Sequence, residues 1–259
     1  MSVILKETLE QNIVVLTINR PEARNALNLE TQRAFAAAID ELAKNPPAAL
    51  ILTGAGERAF IAGGDLNELA ADPSPETGKK LHTIVKNALI KMTQLPCPVI
   101  GAVNGHAAGG GVEVLSACDL RVALPEAKFH FVQVKMGLTS GWGGVPRLVK
   151  LLGQSQVMNL MLNGSSISAA EAQRIGFVHR IAAEGQTARV AAIDWAQALA
   201  QLPADSSAAL KHLVRFSAEN SLADSYAEVT NHFLPLFGGP SNLEALAAFK
   251  ERRRPNFRE

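Results

Sequence analysis

Short apolar runs rich in β-branched residues alternate with amphipathic segments through the first half of this chain. Ile13–Ile18 (IVVLTI) reads as a strand. Leu29 to Leu42 then places Leu29, Phe35, Ile39 and Leu42 on one helical stripe. Ala49–Thr53 is the next strand. Thr77–Leu95 is a long helix with Leu81, Ile84, Val85, Ala88, Leu89 and Met92 facing inward. Pro98–Val103 is a strand, Gly110–Ala117 a helix and Leu120–Ala123 a further strand. Strands separated by helices must run parallel and be covered by those helices, so the pattern predicts an α/β fold. After Gly144 the strands fade. Residues 155–162, 168–175, 186–201, 206–217, 221–237 and 242–254 all read as helices. The expected layout is an α/β core over residues 1–195 and a C-terminal helical region over 196–259. Leu234, Leu236 and Phe237 are too apolar for a solvated arm, which favours packing on a neighbouring subunit over a cap on the same chain.

Charge and cysteine content exclude several classes. Basic and acidic residues number 25 and 24 in 259, so no strong field attracts nucleic acid or anionic lipid. The longest uncharged stretch, Met92 to Val112, carries two prolines, Asn104, His106 and several glycines, which spoil a membrane helix. Cys97 and Cys118 make no disulfide framework and no zinc motif. The start of the chain lacks a basic segment followed by an apolar run. A cytoplasmic protein is therefore expected. The six histidines show no pair at helical ligand spacing, so no metal is expected.

Two glycine turns carry the chemistry. His106-Ala-Ala-Gly-Gly-Gly-Val-Glu113 follows a strand and opens a helix. Its glycines let a ligand approach the backbone, and its free N–H groups and helix dipole favour an oxygen that becomes negative. Glu113 stands one turn beyond Gly110, a general base beside an oxyanion donor. Phe60-Ile-Ala-Gly-Gly-Asp-Leu-Asn67 is a second such turn. By contrast, Gly54-Ala-Gly-Glu-Arg-Ala59 spells a dinucleotide fingerprint but lacks the helix a pyrophosphate needs. No GxSxG elbow is present.

Ordered motifs from about Ile13 to Phe257 resemble the crotonase, or enoyl-CoA hydratase/isomerase, superfamily. They are Asn19-Arg-Pro-Glu-Ala-Arg-Asn-Ala-Leu27, Ala62-Gly-Gly-Asp-Leu66, Pro98-Val-Ile-Gly-Ala-Val-Asn-Gly105 and Gly109-Gly-Gly-Val-Glu113. Cys118-Asp-Leu-Arg121, Gly143-Gly144, Pro146-Arg-Leu148 and Ile167-Ser-Ala-Ala-Glu-Ala172 complete the set. The resemblance implies a spiral of repeated β-β-α units, with C-terminal helices that build a homotrimer or a dimer of trimers. It implies an acyl-CoA substrate of fatty acid metabolism and no separate cofactor, coenzyme A being part of the substrate. By position Gly64 and Gly110 match the oxyanion hole. Arg24, Ala26, Asp65 and Leu66 match the CoA cleft, and Phe233 and Arg252 match residues that close it from a neighbouring subunit.

Two departures from the hydratase pattern bear on the reaction. Hydratases of this kind use two glutamates; the first matches Glu113, whereas the second falls on Gln133. A glutamine amide orients a water or carbonyl but transfers no proton. Trp142, within Ser140-Gly-Trp-Gly-Gly144, is similar to the alkylmalonyl-CoA decarboxylase branch. The primary expectation is hydration or isomerisation of a 2-enoyl-CoA with Glu113 moving the proton and Gln133 positioning the reacting group. Decarboxylation of an alkylmalonyl-CoA is the alternative, since departing CO2 leaves the enolate directly. An RNA-binding role, known for one relative with a lysine-rich helix, has little support: Leu29–Lys44 holds only Arg33 and Lys44 as basic residues.

Overall fold

The computed structural model describes residues 2–257. The chain opens with β1 (Ile4–Leu9) and β2 (Ile13–Ile18), an antiparallel hairpin turned through Gln11 and Asn12. Then come α1 (Leu29–Lys44), β3 (Ala49–Gly54), β4 (Ala59–Ile61), α2 (Leu66–Ala71) and α3 (Pro75–Gln94). Next are β5 (Val99–Val103), β6 (His106–Ala108), α4 (Gly110–Ser116), β7 (Leu120–Ala123) and β8 (Lys128–His130). The chain continues through α5 (Gly144–Leu152), α6 (Gln154–Leu162), β9 (Ser166–Ser168), α7 (Ala169–Arg174) and β10 (Arg180–Ile181). It closes with α8 (Ala188–Leu199), α9 (Ala204–Ser217), α10 (Leu222–Leu236) and α11 (Pro240–Glu251).

One sheet has the order β1-β2-β3-β5-β7-β10 and the other β4-β6-β8-β9. The pairs β3–β4, β5–β6 and β7–β8 each send their first strand to the large sheet and their second to the small one. Each step is parallel to the last, so the chain advances as a spiral. Strand β2 shows why the large sheet is apolar on both faces. Val14, Leu16 and Ile18 join the core with α1 and α3, while Ile13 and Val15 face α8. There Ala188, Ala192 and Ala196, all fully buried, let the helix lie close to the strands. Position 195, the expected limit of the core, falls inside α8, which packs on the sheet through Ala196.

Polar residues of the motifs act as staples. Asn25 Nδ2 donates to Ala55 O (2.9 Å) and Ala59 O (2.8 Å), and its Oδ1 accepts from Arg20 N. Asn104 Nδ2 donates to Gly56 O (2.7 Å), and its Oδ1 accepts from Gly54 N (3.1 Å). Together they fix the loop that leads into β4. Arg121, fully buried, donates to Leu115 O (3.0 Å), Cys118 O (2.6 Å) and Phe177 O. Its guanidinium thus holds the C-terminal end of α4, a helix only two turns long that would not persist alone.

Candidate active site

The two glycine turns meet at the ends of β4 and β6. Gly63 and Gly109 take left-handed conformations, with φ of +100° and +51°, and turn the chain just before Gly64 and Gly110. A Cβ on Gly63 would lie 3.2 Å from Gly110 N, so the turns are in contact. Gly110 opens α4 and has no intrahelical acceptor for its N–H. Gly64 is bracketed by bonds from Leu27 N to Gly63 O and from Asp65 N to Leu27 O. Among the described residues neither the Gly64 nor the Gly110 N–H meets a protein acceptor.

Glu113 is 1% exposed. Its carboxylate faces the 140–144 loop rather than solvent. Oε2 accepts from Ser140 Oγ (2.6 Å), Trp142 N (2.8 Å) and Gly144 N (2.8 Å). Oε1 accepts from Gly141 N (3.1 Å) and Gln133 Nε2 (3.3 Å). Every donor in this set suits an ionised carboxylate. None of the loop contacts is visible in the sequence, where Glu113 and residues 140–144 are some thirty positions apart; the motif Ser140-Gly-Trp-Gly-Gly144 marks the loop but not its partner.

Gln133 is 7% exposed. Because its neighbour is an acceptor, the amide nitrogen must turn to Glu113, which leaves Oε1 buried without a partner. An acceptor kept free inside a site invites a substrate or water proton donor.

Trp142 covers both turns. Its ring packs so closely on Gly110 that a Cβ there would overlap it, and it lies 4.0 Å from the place of a Cβ on Gly64. The backbone of Trp142 is fixed at both ends. Its N–H donates to Glu113, and its carbonyl accepts from Arg147 Nη2 (3.0 Å), which also reaches Glu113 O (3.3 Å). His82 on α3 bonds to Gly141 O and ties the loop to that helix.

Of the residues assigned to the CoA cleft, Arg24, Ala26, Asp65 and Leu66 gather along one edge of the site, where Leu27 bridges to Gly64. Arg24 is exposed, and its carbonyl accepts from Ala62 N. Ala26 O accepts from Arg20 Nη1 (2.6 Å), which also pairs with Asp65 Oδ2 (2.9 Å). Asp65 further caps α2 through Asn67 N (3.1 Å). Leu66 is exposed. Phe233 and Arg252 belong to a different region of the chain. Phe233 stacks on Phe237 and lines a separate cavity of about 200 Å³, and exposed Arg252 ends α11. His130 packs edge-on against His106. Desolvation, then the charge of His106, pushes its pKa down.

Residues 8–259 match the family model described as enoyl-CoA hydratase/isomerase. A probable enoyl-CoA hydratase of Mycobacterium bovis is 34% identical over 253 residues, 96% of this chain and 95% of that one. The ethylmalonyl-CoA decarboxylase of Danio rerio is 31% identical over 252 residues, 95% of this chain and 83% of that one. The crystal structure of an enoyl-CoA hydratase from Bacillus anthracis superposes with a TM-score of 0.94 at 29% identity, covering 99% of both chains. The spiral of paired strands is thus the crotonase fold, and the chain belongs to the enoyl-CoA hydratase/isomerase family. Among the described residues no helix is long and apolar enough to cross a membrane.

Proposed function

We propose that this chain hydrates or isomerises a 2-enoyl-CoA by way of a thioester enolate. The observation that carries the reading is the placement of a buried Glu113–Gln133 pair beside two glycine N–H groups without protein acceptors. The thioester oxygen sits between Gly64 N–H and Gly110 N–H, donors whose direction is fixed before charge develops. In the hydration sense a water donates one hydrogen to Gln133 Oε1 and the other to Glu113 Oε1. Glu113 takes that proton as the water oxygen bonds to C3, and the electron pair of the C2–C3 double bond moves onto the thioester. Return of the proton to C2 collapses the enolate and restores the carboxylate. Glu113 serves as both base and acid, and Gln133 orients the water.

Coenzyme A lies along the edge formed by Arg24, Ala26, Asp65 and Leu66. Asp65 acts there mainly by holding Arg20 and the start of α2. Phe233 and Arg252 close the cleft from a neighbouring protomer of a trimer or hexamer. The exposed Tyr226, Phe233, Phe237 and Phe249 of the C-terminal helices support that assembly. Two free, buried cysteines suit a reducing compartment such as the cytoplasm.

A second reading, decarboxylation of an alkylmalonyl-CoA, draws on Gln133 and on Trp142 above Gly110. It needs the same enolate pocket and no proton relay at position 133. Purified protein offered crotonyl-CoA, followed by enoyl-thioester absorbance, and ethylmalonyl-CoA, followed by CO2, separates the two. Absorbance loss without CO2 from the second substrate supports hydration. CO2 release with crotonyl-CoA untouched replaces it by decarboxylation.

A further inference from the structure

His212, Glu228 and His232 converge away from the glycine turns, where α9 crosses α10. No two histidines stand at ligand spacing within one helix; the fold supplies the pair from two helices. His212 Nε2 stands 2.6 Å from Glu228 Oε1, and His232 Nε2 stands 3.2 Å from the same oxygen. The two imidazole centroids are 4.7 Å apart, and the three ligand atoms all lie within 4.8 Å of one another. We propose that these three side chains form a binding site for a zinc-class divalent cation that clamps α9 to α10.

The donor set selects the metal. Two imidazoles and one carboxylate suit Zn2+, whereas Mg2+ and Ca2+ want oxygen. With metal–ligand bonds of about 2.0–2.2 Å, neighbouring ligand atoms of a tetrahedral site stand roughly 3.3 Å apart. The two carboxylate–imidazole separations, 2.6 and 3.2 Å, stand within about 0.7 Å of that spacing. Glu228 and His232 are four residues apart on α10, so both project from one face. Asn231 Nδ2 donates to Glu228 Oε2 (3.3 Å) and leaves Oε1 turned to the imidazoles, the outer-shell arrangement that orients a ligating carboxylate.

Helix α9 is fixed independently. Lys211 Nζ reaches Asp119 (2.7 Å) and Cys97 O (2.8 Å), and Arg215 Nη1 reaches Thr93 O (2.8 Å). His212 is therefore presented from a rigid element. The cluster opens on a cavity of about 420 Å³ lined in part by His212, Arg215 and His232. That leaves a fourth coordination position for water or a small ligand.

The test uses untagged full-length protein, stripped with a chelator and dialysed against limiting ZnCl2, with bound metal measured by mass spectrometry. One equivalent of zinc per chain is expected, with a rise in Tm and, for Co2+ in its place, visible d–d bands of a four-coordinate site. His232→Gln and Glu228→Gln should each lower affinity more than tenfold. Asn231→Ala should lower it about tenfold, and His106→Gln should leave it unchanged. Failure to bind zinc at neutral pH, or binding untouched by both His232→Gln and Glu228→Gln, overturns the proposal and leaves a hydrogen-bonded triad only.

Discussion

Replacing Trp142 by alanine separates two roles that the structure joins in one residue. The indole is 6% exposed and closes over Gly110 and Gly64. A tryptophan buries about 150–250 Å², worth about 4–6 kcal/mol at 25 cal/mol per Å². The site has little freedom to collapse after truncation. Residue 142 stays pinned through its N–H on Glu113 and its carbonyl on Arg147, so the cavity remains and the loss falls near 4–5 kcal/mol. Urea denaturation measures that loss. The opened space adjoins the place of the thioester, so Trp142→Ala should accept longer acyl chains. Each added methylene that becomes buried contributes about 0.8 kcal/mol, near fourfold in kcat/KM. Wild-type protein should therefore favour a four-carbon enoyl-CoA, and the variant should shift toward six and eight carbons. An unchanged chain-length profile in a folded variant refutes the placement of the indole in the acyl pocket.

Three further perturbations test neighbouring parts of the account. Gly110→Ala forces the Trp142 ring off the turn and should lower kcat/KM by about a hundredfold, the scale of losing one oxyanion donor, with Tm showing the strain separately. Arg121→Met leaves the Cys118 and Phe177 carbonyls without their guanidinium donor, while Leu115 O keeps the Cys118 N–H, and should cost roughly 2–6 kcal/mol in urea unfolding. Partial desolvation, then the charges of Arg121 and Arg180, push the pKa of His179 down to about 4. The unfolded chain then binds a proton that the folded chain refuses, so stability is full above about pH 6.5 and declines as pH falls toward 4. His179→Gln should flatten that decline in melts across the same range.

Much of the scaffold is legible in the sequence because its elements are long enough to show a period. The stripe from Leu29 to Leu42 lies in α1, and Thr77–Leu95 nearly coincides with α3. Ile13–Ile18 and Leu120–Ala123 are strands with those bounds. The small sheet is not legible: β4, β6, β8 and β9 have three residues each, too few to display alternation. The hairpin strand β1 (ILKETL) is largely exposed, so it carries almost no apolar pattern. At the site, local spacing predicted the two turns. What surrounds Glu113 depends on contacts across some thirty residues and follows only from the packing of α5 on α4. The same limit hid the His212–Glu228–His232 convergence, which arises when α10 folds back on α9.

The central claim is that Gly64 and Gly110 hold a thioester oxygen opposite Glu113 and Gln133. A crystal structure with a bound β-ketoacyl-CoA, which has no double bond to hydrate, tests it directly. The account predicts the thioester oxygen about 2.7–3.1 Å from both glycine nitrogens, with C3 facing Glu113 Oε1 and Gln133 Oε1. An acyl group seated elsewhere, with either glycine N–H left to solvent, contradicts it.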